Sequence, residues 1–238
     1  MRASITIGLV TPQATNRVSP EGQQMYPDVN FIPKGVGVKA LTPEGYDSAW
    51  DGIVPAAEEL AGNNKLDAIM VLGTSLTFYR GFEAHEKLLE RLRRIGLPVA
   101  TMSSAIVDGL RAVGAKKIGV STAYADVVNN RLRDFLTASG FDVQALEGFG
   151  IERFGGAAEK TEDDIIALAG RVSAQARDAQ GMLISCGGLR TLNVGKTIED
   201  KLGVPVVSST PAAFWAAMRL VGESGTLPGY GKLFEAVH

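Results

Sequence analysis

The chain has 238 residues, 45% of them hydrophobic, and a formal net charge of −2. That length suits one large domain or two small ones, with enough apolar content for a sizeable core. The near-neutral charge, with no basic patch interleaved with aromatics, argues against nucleic acid or an acidic membrane as a partner; the lone cysteine excludes an internal disulfide and fits a reducing compartment.

The first twelve residues carry one Arg and a short apolar run, 5–10. The run is too short for a signal segment or a membrane span, which predicts a soluble cytoplasmic protein, and it reads as the first strand. Further Val- and Ile-rich runs follow at 31–38, 66–72, 97–102, 117–121, 143–146, 181–185 and 204–208. Several are almost continuously apolar, as expected of strands buried on both faces of a parallel sheet. Helical patterns lie between them. Residues 82–95 place Leu88, Leu89, Leu92 and Ile95 at helical spacing, with basic residues near the end and Gly96 as a stop. Residues 126–139 begin at Asp126, a candidate cap, and stop at Gly140. Thr161 to Asp164 resembles a capping box. Strand and helix alternate, which predicts an α/β fold.

The chain also repeats itself. Residues 66–72 lead into Gly73, Thr74, Ser75 and Leu76, and the pattern returns with Gly96, Pro98, Val99 and a run ending at Gly114. Residues 178–185 lead into Cys186, Gly187, Gly188 and Leu189, then Gly203, Pro205, Val206 and a run ending at Gly222. Aligned on the following leucine, Gly73 stands opposite Cys186. The repeat predicts two similar doubly wound, Rossmann-like halves, 1–113 and 114–209, related by a pseudo-two-fold axis. Residues 210–238 are free to pack back on the first half. Ligands in such sheets bind beyond the carboxyl ends of strands. Thr11 with Pro12, residues 73–75, residues 121–124 and residues 186–188 all occupy that position, so one central cleft is expected to gather them.

Cys186 follows a buried strand and precedes two glycines whose amides allow close approach to a ligand. His85 and His238, the two histidines, are poorly placed to activate it, which argues against a Cys-His hydrolase. A neutral thiol, with a pKa near ~8.5, is a usable proton donor instead, and a nearby anion would keep it protonated. Thr74 and Ser75, with their amides, form a compact donor set for a carboxylate or oxyanion, or else simply cap a helix. Tyr124 either joins that set or is a core-edge tyrosine with a solvated tip. Ser103, Ser104, Ser208, Ser209 and Thr210 read as helix caps. Asp163, Asp164, Glu58 and Glu59 read as solvated helix faces. Gly35 and Gly37 make no dinucleotide fingerprint; there is no phosphate-binding loop, no serine nucleophile elbow and no cluster with metal-ligand spacing.

The duplication with Gly or Cys at symmetric strand ends resembles the aspartate/glutamate racemase superfamily, whose racemases and maleate isomerases carry two cysteines. With one, this chain departs from both. Residues 72–81, 42–46, 185–189, 206–211 and 228–231 are similar to the arylmalonate decarboxylase family along nearly the whole chain. The resemblance implies cofactor-free decarboxylation of a disubstituted arylmalonate to an enantiopure 2-arylpropionate, usually the R form, by a monomer with a small dicarboxylate as its partner. It implies that Thr74, Ser75 and Tyr124 form a two-oxygen anion hole and that Cys186 delivers the proton to one face of the substrate, with Gly73 at the other face. It places Gly187 and Gly188 on one side of the aryl group and Pro12 on the other. Tyr46 and Leu76 would line an apolar pocket for the departing carboxylate, with Val38, Leu41, Phe154 and Ala157 as further walls. Phe154 and Ala157 depart from the β-branched residue and methionine expected there, which bears on substituent size. The competing readings are an isomerase or racemase of the superfamily, or a dicarboxylate-binding protein without catalysis.

Overall fold

The structure is a computed structural model that describes residues 4–235. Eight strands form two four-stranded sheets. The first joins β1 (Thr6–Thr11), β2 (Asn30–Gly35), β3 (Ala68–Val71) and β4 (Val99–Thr101) in the order β2-β1-β3-β4. The second joins β5 (Lys117–Tyr124), β6 (Asp142–Ile151), β7 (Gly181–Ser185) and β8 (Val206–Ser208) in the order β6-β5-β7-β8. Every ladder is parallel, and the two orders superimpose. The fold is thus α/β with two similar halves, as the repeat predicts. The inner strands β1, β3, β5 and β7 are buried along nearly their whole length, because helices cover both faces.

The helices follow their sequence signals with local exceptions. Helix α5 (Phe82–Arg93) buries Leu88, Leu89 and Leu92, carries Arg91 and Arg93 in its last turn, and is followed by Gly96 at φ +84°. Thr161 and Asp164 form a reciprocal capping box on α8 (Glu162–Gln175). On α7 (Asp126–Ala138) the cap position falls on Ala125, so Asp126 sits in the first turn, facing the positive helix end through charge alone. The strand expected at 31–38 ends at Gly35, because the ladder stops at Thr11, the last residue of β1, and the amides of Val36 and Val38 bond to the carbonyls of Thr11 and Pro12 beyond it. Strands β5 and β6 run past the expected 121 and 146 to Tyr124 and Ile151, since each continues to pair with the other.

The halves meet where α6 (Met102–Ala112) packs on α10 (Ser209–Leu220). Ten consecutive residues of α10, Ser209 to Met218, are buried, because this helix also packs on β3, β4, β7 and β8. A helix apolar on all sides belongs in such a position. Among the described residues no helix is long and apolar enough to cross a membrane. His238 lies outside the described residues.

Candidate active site

The carboxyl ends of β1, β3 and β7 open into one cavity of about 730 Å³. Its wall includes Pro12, Val38, Leu41, Tyr46, Gly73, Thr74, Ser75, Leu76, Phe154, Ala157, Cys186, Gly187 and Gly188. Residues scattered over nearly 180 positions of sequence are therefore brought to a single space. Tyr124 is the exception among the candidates. It is the last residue of β5 rather than part of a following loop, it is 1% exposed, and it lies behind the wall. Its hydroxyl is 3.4 Å from Ser185 Oγ and is also close to the Ser75 and Cys186 side chains. Burial holds that phenol well above its ordinary pKa, so it stays protonated and able to donate.

The end of β3 turns sharply. Gly73 takes φ +98°, and α4 (Thr74–Phe78) starts immediately after it. The first amides of a helix have no intrahelical acceptor, so those of Thr74, Ser75 and Leu76 are available at the cavity floor. The turn is braced from within the half: Ser103 Oγ donates to the Thr74 carbonyl at 2.9 Å and also lies 2.6 Å from Thr77 Oγ1. A side chain on Gly73 would have its Cβ 3.2 Å from Leu76 Cβ and 3.4 Å from Pro12.

The end of β7 is strained. Cys186 takes φ +147°, the one non-glycine at positive φ among the described residues. Its thiol is buried, and the Gly188 amide donates to Sγ at 3.4 Å. Burial pushes the thiol pKa up; the Gly188 amide, the Tyr124 hydroxyl and the Leu189 amide offset this only in part. The thiol is therefore a neutral acid at physiological pH. Gly187 and Gly188 keep the approach open. A Cβ on Gly188 would stand 3.6 Å from Cys186 Sγ and 3.1 Å from Ala157 Cβ.

The remaining wall is apolar with a charged rim. Tyr46 packs against Tyr79 at 5.2 Å between ring centroids, and its buried hydroxyl has no partner of hydrogen-bonding geometry. Burial raises its pKa as well. Arg17, Glu21, Glu162 and Arg190 stand at the mouth. Glu21, on α1 (Pro20–Met25), accepts from the amides of Thr191 and Leu192, both at 2.7 Å, which ties the first half to the loop after Cys186. Its carboxyl pKa is raised by burial against the pull of those amides. Among the described residues no group of three or more His, Cys, Asp or Glu is arranged to hold a metal ion.

The hydroxyls expected only to cap helices do more. Thr101 and Ser104 form the capping box of α6, while Ser103 braces Thr74. Ser208 is the N-cap of α10 without a side-chain cap bond. Ser209 accepts from Thr74 Oγ1 at 2.8 Å and from the Cys186 amide at 3.3 Å, and Thr210 Oγ1 donates to the Gly187 carbonyl at 3.3 Å. Ser104 caps its helix as expected, whereas Ser103, Ser209 and Thr210 bond outside theirs, because the turns that open α6 and α10 lie beside the strand ends of the site. Glu21 was not singled out from the sequence either; the acidic residue in the first turn of α1 was its one visible signal.

Comparison with known proteins gives consistent results. Residues 7–234 match a family model described as arylmalonate decarboxylase. The chain is 40% identical to an arylmalonate decarboxylase of Bordetella bronchiseptica over 232 residues, covering 97% of this chain and 96% of that protein. It superimposes with a TM-score of 0.94, at 39% identity and over 97% and 99% of the two chains, on a liganded arylmalonate decarboxylase variant in which a glycine is replaced by cysteine and a cysteine by serine. A maleate isomerase from Pseudomonas putida S16 shares the fold, with a TM-score of 0.89, 22% identity, and coverage of 98% and 99%.

Proposed function

The chain belongs to the arylmalonate decarboxylase family, and from that premise we propose that it decarboxylates disubstituted arylmalonates to single-enantiomer 2-arylpropionates without a cofactor. The observation that carries this reading is the asymmetry of the two strand ends: a buried, neutral thiol on one and a glycine on the other, facing one cavity.

In the proposed reaction one carboxylate sits at the end of β3, held by the Ser75 hydroxyl and by the free amides of Thr74, Ser75 and Leu76, with the Thr74 hydroxyl anchoring the turn to Ser209 and the Tyr124 hydroxyl reinforcing Ser75 and Cys186 from behind. The other carboxylate faces the apolar wall of Val38, Leu41, Tyr46 and Leu76. Phe154 and Ala157 bound the substituent, and the aryl group lies between Pro12 and the Gly187–Gly188 turn. Loss of CO2 leaves the bonding pair on the malonate carbon, giving an enediolate whose charge moves onto the held oxygens. Donors aimed at that charge are worth roughly 3 kcal/mol each. Poor hydration of the departing carboxylate adds to the driving force. Cys186 then gives its proton to one face of the planar enediolate, and the resulting thiolate is reprotonated from solvent. Gly73 offers no acid to the opposite face, so one enantiomer forms.

The test is CO2 release from methylphenylmalonate, followed by chiral analysis of the acid. Turnover to a single enantiomer is expected. Binding of malonates without CO2 release would instead indicate a dicarboxylate-binding protein, and consumption of maleate in their place would indicate an isomerase.

A further inference from the structure

Ser209 opens α10 and is 1% exposed. It does not line the cavity, although the next residue, Thr210, does, as does Met102. Its oxygen nevertheless holds one group from each strand end: the Thr74 hydroxyl at 2.8 Å and the Cys186 amide at 3.3 Å.

The internal repeat shows what is unusual about this residue. Ser103 and Thr210 occupy matching positions, and each donates to a matching carbonyl, that of Thr74 just after Gly73 at 2.9 Å and that of Gly187 just after Cys186 at 3.3 Å. Those two bonds belong to the duplicated framework. Ser209 does not repeat. Its counterpart is Met102, whose sulfur lies 3.3 Å from where a Cβ on Gly187 would stand. One copy of the framework therefore accepts an apolar side chain here, and the other places a buried hydroxyl. A buried hydroxyl is costly unless it is hydrogen-bonded, and this one bonds to the two residues whose proposed tasks differ.

Each bond has a positional consequence. Cys186 sits at φ +147°, where an L-residue is strained, so its backbone persists only if the surroundings hold it. Its buried amide needs an acceptor, and Ser209 supplies one. At Thr74 the same oxygen takes the hydroxyl proton and so fixes the side-chain rotamer at the anion-holding turn. We infer that Ser209 is a positioning residue that locks the proton-donor loop of the second half to the anion-holding turn of the first. Its effect on turnover rests on the decarboxylase reading; the link itself does not.

Cys186 is the chain's one cysteine, so alkylation by iodoacetamide reports on it alone. Ser209→Ala is expected to speed that alkylation several-fold at pH 8. It is also expected to lower kcat on methylphenylmalonate by about tenfold with KM little changed. Ser209→Thr keeps the hydroxyl and should return both readouts toward the parent. Thr74→Val removes a bond to Ser209 without approaching the thiol, yet should also speed alkylation of Cys186. The inference is overturned by parental alkylation and turnover in folded Ser209→Ala, or by equal effects of Ser209→Thr and Ser209→Ala. If Ser209→Ala does not fold, an unchanged alkylation rate in Thr74→Val overturns it. A parent protein that releases no CO2 from arylmalonates would sink the decarboxylase reading while the alkylation rates still decide on Ser209.

Discussion

The ends of β3 and β7 share a backbone plan and present opposite chemistry. Both follow the third-ordered strand of a four-stranded parallel sheet, both hold a residue at positive φ, Gly73 or Cys186, and both have the next carbonyl braced by a hydroxyl from a later helix start. After Gly73 the chain coils at once into α4, so amides and hydroxyls gather on a rigid turn. After Cys186 it runs through an open, glycine-containing loop before the next helix, Val194–Leu202, so a side chain rather than a backbone faces the cavity. Gly73 occupies its strained conformation at no steric cost, whereas Cys186 bears about 1–3 kcal/mol for it. Strain is kept where a thiol must point into the cavity and is absent where only backbone is needed. In the proposed reading, a duplicated fold separates charge stabilisation from proton delivery through one difference, glycine at 73 against cysteine at 186.

Removing the thiol breaks this comparison most severely. Cys186→Ala is expected to lower kcat by about 10²- to 10⁴-fold while leaving the melting transition cooperative, as a CO2-release assay on the purified variant would show. Because burial raises the thiol pKa, the donor stays protonated beyond the usual ~8.5, and kcat should hold level through that pH and fall only above it. A decline centred well below pH 8 would mean that another group supplies the proton. Thr74→Ala comes next, with an expected loss of about 10²-fold in kcat and a smaller change in KM, since the Oγ1 bond to Ser209 that it removes holds the turn whose amides face the developing charge. A rise in KM with kcat intact would reduce the turn to simple substrate binding.

Gly73→Cys makes the two ends alike. An acid on the second face should let the product racemise, at a stability cost of about 1–2 kcal/mol from the positive φ and from contacts with Leu76 and Pro12. Strict enantiopurity in a folded Gly73→Cys variant would show that position 73 does not face the reacting carbon. Glu21→Gln is the smallest change and acts on the rim. The Glu21 pKa is raised, so its contribution to stability is full below the ordinary carboxylate range and is lost as pH rises through the folded value. The glutamine keeps an acceptor for Thr191 and Leu192 without the charge. Its melting temperature should therefore gain on the parent's between pH 4 and pH 8. An identical offset at both pH values would contradict the raised pKa.

The strands were legible because inner strands of a parallel sheet must be apolar on both faces. Their carboxyl ends were legible because glycine and hydroxyl residues stop such runs abruptly, and the repeat showed that Gly73 and Cys186 hold equivalent places. Where β5 and β6 stop was not legible, since pairing with a neighbour, and not composition, decides how far a strand runs. Tyr124 illustrates the cost: three residues past the apolar run, it reads as a member of the donor set or a core-edge tyrosine with a solvated tip, but the extended strand buries it, tip included. The serines and threonine of residues 103, 209 and 210 were equally opaque, because a hydroxyl before a helix looks the same whether it caps that helix or reaches another strand.

The sequence by itself determined the alternation of elements, the duplication and the one cysteine that breaks it, because period, apolar runs and residue identity are local properties. Only the tertiary structure decided which residues share the cavity, that Cys186 is held at positive φ with a protonated thiol, and that Ser209 and Glu21 each join the two halves. Those facts depend on burial and on hydrogen bonds spanning from 23 to 171 positions of chain, and desolvation and backbone bonding at such separations exist only once the two sheets have closed on one another.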